Sequence, residues 1–408
     1  VKPDPARVAS EVWDRCRSAG FRGSDPYDAL NGRFWPGLAG RSGTSRRMLL
    51  QAGRRTPRCL RPLLGVPPGL NPKALALFLS SIADLPSLEC ATESSTFLSD
   101  ALLSLSSLPD GSPALSGGRR HRQGLAAEVA GGSGVPPAIG WGYDFPWQGR
   151  AFFQPPFAPT AVVTSFVARA FEDCESPAAP AVLPAVGRFL LTSLGRYECD
   201  EGICFSYSPR DSTRVFNASL LAASALVAAG RRSTPLEAEC REAATRAAEY
   251  VISRQSSDGS WVYGEGPQWD WIDGFHTGFV LECLYGLAVS LGRTDWLDPV
   301  ARGLVFYRDR LFLEDGTALG RPGRRGPLDP HAFAQGAITF VKLEELGHDG
   351  ADFAGRILGR ACETLWDERR KGFVFSRGAV LSNGTVHMRW NQAWMLRALC
   401  AWLGREAR

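Results

Sequence analysis

Residues 268–289 read QWDWIDGFHTGFVLECLYGLAV, and the two halves follow different rules. The first nine residues hold Trp269, Asp270, Trp271, Asp273 and His276, a density of polar and aromatic groups with no helical spacing. The second half is apolar nearly all round, so a helix there has to be buried on every side. Four further stretches share this layout: FAPTAVVTSFVARAF after GWGYDFPWQGR, VFNASLLAASALVAAG after GICFSYSPRDS, DPHAFAQGAITFVKL after DGTALGRPGRRGP, and RWNQAWMLRALCAWL after KGFVFSRGAVLSNG. Aligning their first polar residues puts Thr160, Asn217, His276, His331 and Asn391 in register, at spacings of 57, 59, 55 and 60. A period that steady over five units marks one repeated supersecondary unit.

Between the apolar runs lie amphipathic ones, such as PLEAECREAATRAAEYVISRQ, DPVARGLVFYRDRLF and GADFAGRILGRACETLWDERR. The unit is therefore an amphipathic outer helix, a loop and an apolar inner helix. Stacking such hairpins in a ring buries the inner helices on both sides. The expected fold is all-α, an (α/α) toroid of about six hairpins, with long Gly- and aromatic-rich loops on one face. Segment 70–85, LNPKALALFLSSIADL, reads as a further inner helix with Asn71 or Lys73 in the polar slot. From Asn71 to Thr160 is 89 residues, which leaves room for an irregular hairpin using 95–108. Residues 109–124 read as a loop. Two parts are expected: an irregular N-terminal segment, 1–69, packing on a toroid domain, 70–408.

Bulk properties narrow the function classes. At 408 residues the chain exceeds most single cores, with repeat rings the main exception. The net charge is only +4, and all but four of the 46 Lys and Arg are Arg. No basic run is interleaved with aromatics, so nucleic acid is not an expected partner. The Arg clusters at 119–122 and 321–325 read as solvated loops, or as a rim for an anionic ligand. The ten cysteines are scattered, and CDEGIC (199–204) lacks zinc-site spacing. Reduced thiols, no metal and no cofactor are the expectation. No membrane-spanning run and no signal-like apolar stretch are read from the sequence, so a cytoplasmic protein is expected.

The stretch RAAEYVISRQSSDGSW (246–261) resembles the QW motif of the squalene–hopene cyclase and prenyltransferase superfamily, with Gln255, Gly259 and Trp261 at the motif positions. The resemblance implies an α/α toroid in which the Gln caps a helix end and stacks on the Trp, tying hairpins together. The chain departs from that superfamily's chemistry, lacking both an Asp-x-Asp-Asp acid and an Asp, Cys and His zinc set. HAFAQGAITF (331–340) resembles an Ala-Gln-Gly segment of the D-glucuronyl C5-epimerase C-terminal domain, which implies a saccharide partner, as do other polysaccharide-processing toroids.

A sugar presents apolar C–H faces flanked by hydroxyls, so its site needs aromatic platforms beside hydrogen-bonding groups. The inter-helix loops supply Trp141, Tyr143, Trp147, Trp269, Trp271 and Trp390, with Arg150, Asn217, Arg389 and Asn391 as candidate substrate-binding partners. Candidate catalytic residues are His276, His331, Tyr207, Tyr263, Asp270, Glu265 and Asp144. Removing the C5 proton of a uronate, as an epimerase or lyase does, needs a His or Tyr base, an acid, and a cation for the carboxylate. Hydrolysis needs a carboxylate pair instead. A cyclase-like enzyme or a non-catalytic glycan- or partner-binding ring remain alternatives. Asp273 also fits a plain helix cap.

Overall fold

The computed structural model describes residues 3–33, 37, 42–114, 137–347, 349–379 and 381–407. The apolar repeats become the inner wall of a six-hairpin ring. Its helices are α3 (Pro72–Asp84), α5 (Ala161–Asp173), α7 (Phe216–Gly230), α9 (Gly274–Leu291), α11 (Pro330–Lys342) and α13 (Trp394–Leu403). A π-helical turn, Met388–Ala393, leads into α13. Each inner helix packs on the next, and α13 packs back on α3, closing the circle. The fold is an (α/α) toroid.

The amphipathic runs form the outer wall: α4 (Ala91–Ser104), α6 (Ala179–Ser193), α8 (Thr234–Ile252), α10 (Leu297–Leu311) and α12 (Gly350–Leu365). The sixth outer position is taken from the other end of the chain. Helix α1 (Pro5–Ser18) packs on α12 and α13, and its Val8, Val12 and Trp13 belong to the same continuous core as the ring. Thus part of the segment set apart as 1–69 lies in the outer layer. Helix α2 (Gly43–Arg55) rests against the 3₁₀ turn Asp28–Asn31.

Local chemistry sets where the inner helices begin. Asn71, Thr160, Asp273 and Asp329 each turn a side-chain oxygen onto a backbone N–H of the first turn of α3, α5, α9 and α11. Such caps satisfy donors that have no partner inside the helix. The aligned polar residues are therefore not equivalent. Thr160 is itself a cap, whereas Asn217, His276 and His331 lie two or three positions past their caps.

The QW stretch ties two hairpins together. Gln255 Nε2 donates to the carbonyls of Gly259 (2.9 Å) and Pro299 (2.8 Å), the latter in α10. Trp261 is buried and donates to Val251 O. Two glycines make this possible. Gly259 has φ +88°, and a Cβ there would lie 2.5 Å from Arg302 O. A Cβ on Gly303 would lie 2.5 Å from the Trp261 ring. The Ala-Gln-Gly segment is likewise packing: Gln335 donates to buried Glu282 of α9, and Gly336 faces the Phe312 ring.

Helix α9 is 18 residues and apolar enough, by length and composition, to match a short membrane span. Two thirds of it is buried inside the ring, as an inner helix apolar on all sides requires. The ten cysteines are all free thiols.

Candidate functional site

Because the six inner helices run parallel, their N-terminal ends and the loops before them gather on one face. Three short antiparallel hairpins stiffen those loops: β1 (Trp147–Gln148) with β2 (Phe153–Gln154), β3 (Arg196–Cys199) with β4 (Gly202–Phe205), and β5 (Trp366–Asp367) with β6 (Gly372–Phe373). The mouth they surround is lined with aromatic and titratable groups.

His276 is half-buried at this mouth. Asp273 caps α9 by accepting from His276 N (3.0 Å), and its second oxygen lies 2.7 Å from His276 Nδ1. Asp273 also accepts from Trp271 Nε1 (3.1 Å). Burial alone would raise the Asp273 pKa, but the His276 ring, the His276 amide and Trp271 hold it below the ordinary value. The carboxylate therefore stays charged and fixes the imidazole, leaving Nε2 as the atom that can exchange a proton. The His276 side chain keeps 21% of its surface exposed. Tyr263 lies against it at 4.3 Å between ring centroids and stacks on Trp271 at 4.5 Å. A cavity of about 10 Å³, room for roughly one water, lies between Asn217, Tyr263, Asp273 and His276. Asn217 Oδ1 is buried there without a partner among the described residues.

A second group adjoins this one. The Tyr207 and Tyr143 hydroxyls lie near one another, and Trp147 and Phe152 pack on the Tyr207 ring at 5.8 and 5.6 Å. Burial raises the pKa of Tyr143, Tyr207 and Tyr263 above the ordinary phenol value. All three are thus neutral phenols near pH 7, suited to donate a proton or hydrogen bond rather than to act as bases.

His331 is placed differently. It is 2% exposed, stacked on Phe275 (4.5 Å) and Trp394 (4.3 Å), with the edge of Trp390 at 4.6 Å. Neither ring nitrogen has a hydrogen-bond partner among the described residues. Burial, with Lys73, Arg389 and His276 nearby, pushes its pKa well down, so the ring is neutral. It belongs to the floor of the mouth.

Other candidates are held elsewhere. Glu265 points to the outer wall, paired with Arg254 (2.6 Å) and Arg214 (2.8 Å). Burial would raise its pKa, but Arg254, Tyr250 and Arg214 keep it low. That corrects its reading as a free catalytic carboxylate. Asp270 is exposed on the loop. Asp144 accepts from Asn71 Nδ2 (2.7 Å) and is raised to about 6, mainly by burial.

Among the aromatic candidates, Trp141 is corrected outright: it is fully buried and donates to Leu102 O, so it cannot face a ligand. Asn391 is equally internal, donating to the carbonyls of Phe373 and Thr385. Trp269 packs against Tyr263 and Trp271 at 5.7 and 5.8 Å. Trp390 donates to Asp329 (2.8 Å). Arg389 is buried in a two-point pair with Asp25 (2.6 and 2.9 Å), beneath Tyr143. Arg150 donates to Gln268 O and lies over Trp271. The loop Arg321–Arg325 is exposed, and the cluster 119–122 lies outside the described residues.

Sequence reasoning missed Lys73, Asp25 and Tyr27, whose ring meets the edge of Trp390 at 5.4 Å. Lys73 was legible only as one of two residues for a polar slot, and Asp25 lies in a segment with no repeat signal. Among the described residues no group of three or more His, Cys, Asp and Glu gathers as a metal site. Grooves of about 720 and 640 Å³ lie outside this cluster, walled by Arg15, Arg22 and Lys371 and by Arg325, Arg360 and Arg377. Neither groove contains the His276–Asp273 pair.

Comparison with solved structures agrees with the ring. The chain is similar to a cellobiose 2-epimerase from Bacillus thermoamylovorans, with a TM-score of 0.57 and 10% identity over 82% of this chain and 87% of that one. It is similar to an unsaturated glucuronyl hydrolase from Bacillus sp. GL1, responsible for glycosaminoglycan degradation, with a TM-score of 0.57 and 13% identity over 97% and 95%. A heparin-specific unsaturated glucuronyl hydrolase gives a TM-score of 0.58 and 12% identity over 99% and 98%. No family model matches the chain, and no curated protein matches its sequence. What the chain shares with these structures, at such identities, is the α/α-toroid fold.

Proposed function

We propose that the protein is a carbohydrate-active enzyme that removes a proton from the carbon beside the carboxylate of a uronate, as in C5 epimerisation or β-elimination. The observation that carries this reading is the Asp273–His276 pair, 2.7 Å apart at the partly open mouth. His276 Nε2 takes the proton, Asp273 steadies the imidazolium, and a neutral phenol of Tyr263, Tyr207 or Tyr143 protonates the opposite face or the leaving oxygen. Trp271, Trp147 and Tyr143 offer partly exposed ring faces for the sugar. The similar folds include enzymes whose names specify sugar epimerisation and glucuronyl hydrolysis, which supports a saccharide as substrate.

A second reading rests on Asp144. A carboxyl raised to about 6 suits the general acid of a glycoside hydrolase. Product analysis separates the two readings. On uronate polymers the proposed chemistry gives inverted C5 centres or unsaturated chain ends, both visible by proton NMR. Saturated reducing ends, lost in Asp144→Asn and kept in His276→Ala, would establish hydrolysis instead.

A further inference from the structure

The proton-abstraction reading needs a cation for the substrate carboxylate, and the arginines around the mouth are committed. Arg389 is paired with Asp25, Arg214 with Glu265, and Arg150 with a backbone carbonyl. One cation at the ring centre is different. Lys73, in the first turn of α3, is 3% exposed. Its Nζ lies 4.1 Å from the Phe166 ring centre, 5.2 Å from Trp394 and 5.3 Å from Phe279. No hydrogen bond or ion pair to Nζ is found among the described residues.

Aromatic faces attract an ammonium's charge but accept none of its three N–H bonds well. The shortage of acceptors is shared by its neighbours. Trp394 Nε1 is buried and unpartnered among the described residues, as are both nitrogens of His331, whose ring stacks on Trp394. Buried polar groups are ordinarily paired, so several orphans in one cluster call for an external partner. Donors outnumber acceptors here, and the partner that satisfies donors beside a cation is an anion. Burial, with Arg389 nearby, pushes the lysine pKa well down, opposed only by Asp25. An arriving carboxylate would restore the charge that burial disfavours.

From this cluster we infer that Lys73 is the specificity-determining residue that receives the substrate's carboxylate, with Trp394 Nε1 completing the anion seat. This rests on the saccharide reading above and extends it. Lys73 and His276 share Phe279 as a neighbour, its ring centre 5.3 Å from Nζ and 6.3 Å from the imidazole centre. His276 and His331 are linked through Phe275, which lies tilted against His276 at 4.1 Å and stacks on His331 at 4.5 Å.

The test compares binding of glucuronate-, galacturonate- and mannuronate-ended disaccharides with their carboxyl-reduced counterparts, read by tryptophan fluorescence. The wild type is expected to prefer at least one acid by about tenfold or more, and Lys73→Met to bind both forms alike. In the wild type itself, Nζ-labelled lysine NMR reads the same site without a variant, because the chain has only four lysines. The acid should shift the Lys73 signal and the reduced sugar should not. A preference that survives Lys73→Met, or an unmoved Lys73 signal in the bound acid complex, overturns the seat while the saccharide reading stands. Equal binding of both forms by the wild type does the same. Binding of neither form overturns both.

Discussion

Two corners of the ring are built from nearly the same letters and do different things. At the start of α9 the sequence is Asp273-Gly-Phe-His276, and at the start of α11 it is Asp329-Pro-His331. Each Asp caps its helix by accepting from the His backbone N–H at 3.0 Å. In the first corner the His ring turns back and meets the capping carboxylate at 2.7 Å. In the second the ring enters the floor, and Asp329 holds Trp390 instead. One residue of spacing accounts for this. A side chain three positions after the cap lies above it, in capping-box geometry. A side chain two positions after it is rotated by about 100° around the helix, here toward the ring axis. The same acid–imidazole recipe thus yields a hydrogen-bonded acid–imidazole pair once and a packed, neutral ring once.

The largest expected effect breaks the first corner. His276→Ala should lower turnover by about 10²- to 10⁴-fold, the range of a lost general base, while the urea midpoint changes little. His331→Ala should do the reverse. Emptying a fully packed aromatic site should cost about 2–4 kcal/mol of stability, read from urea unfolding, with turnover of the folded fraction within about tenfold of wild type. A stable, inactive His331→Ala would mean that the two corners had been assigned the wrong way round.

Acidity sharpens the contrast. The His331 pKa lies well below the value of about 6.5 expected in the unfolded chain. As pH falls the unfolded state binds the proton first, so stability is complete above about pH 6.5 and erodes below it. His331→Gln should reduce that slope by about one proton, with buried His387, also shifted down by burial, retaining a similar share. The smallest effect belongs to Glu265→Gln. Its pairing with Arg254 and Arg214 on the outer wall predicts turnover within about twofold of wild type and a loss of about 1 kcal/mol or less for a partly exposed pair.

The ring was legible because its evidence is periodic. Five apolar runs at spacings of 55 to 60 residues require a repeated hairpin, and the QW residues required their tie. The site was legible by residue type but not by direction. Trp141 and Trp147 both sit in one aromatic loop, yet one donates inward to Leu102 while the other packs on Tyr207. Glu265 and Asp273 are eight residues apart, yet one is paired with Arg254 and Arg214 and the other with His276. Periodicity fixes which loop reaches the mouth, while a loop's internal turns decide where each side chain points. Helix α1 was hidden for another reason: its partners α12 and α13 are more than 300 residues away, and closing a ring with the opposite terminus leaves no local pattern.

The central claim is that His276 exchanges a proton with a carbon beside a uronate carboxylate. Incubating the protein with uronate polymers in heavy water, then measuring deuterium at C5 by mass spectrometry and NMR, tests it directly. The account predicts deuterium at C5, or loss of that hydrogen by elimination, with the wild type and with His331→Ala, and neither with His276→Ala. Processing of the polymer with C5–H fully retained would contradict it.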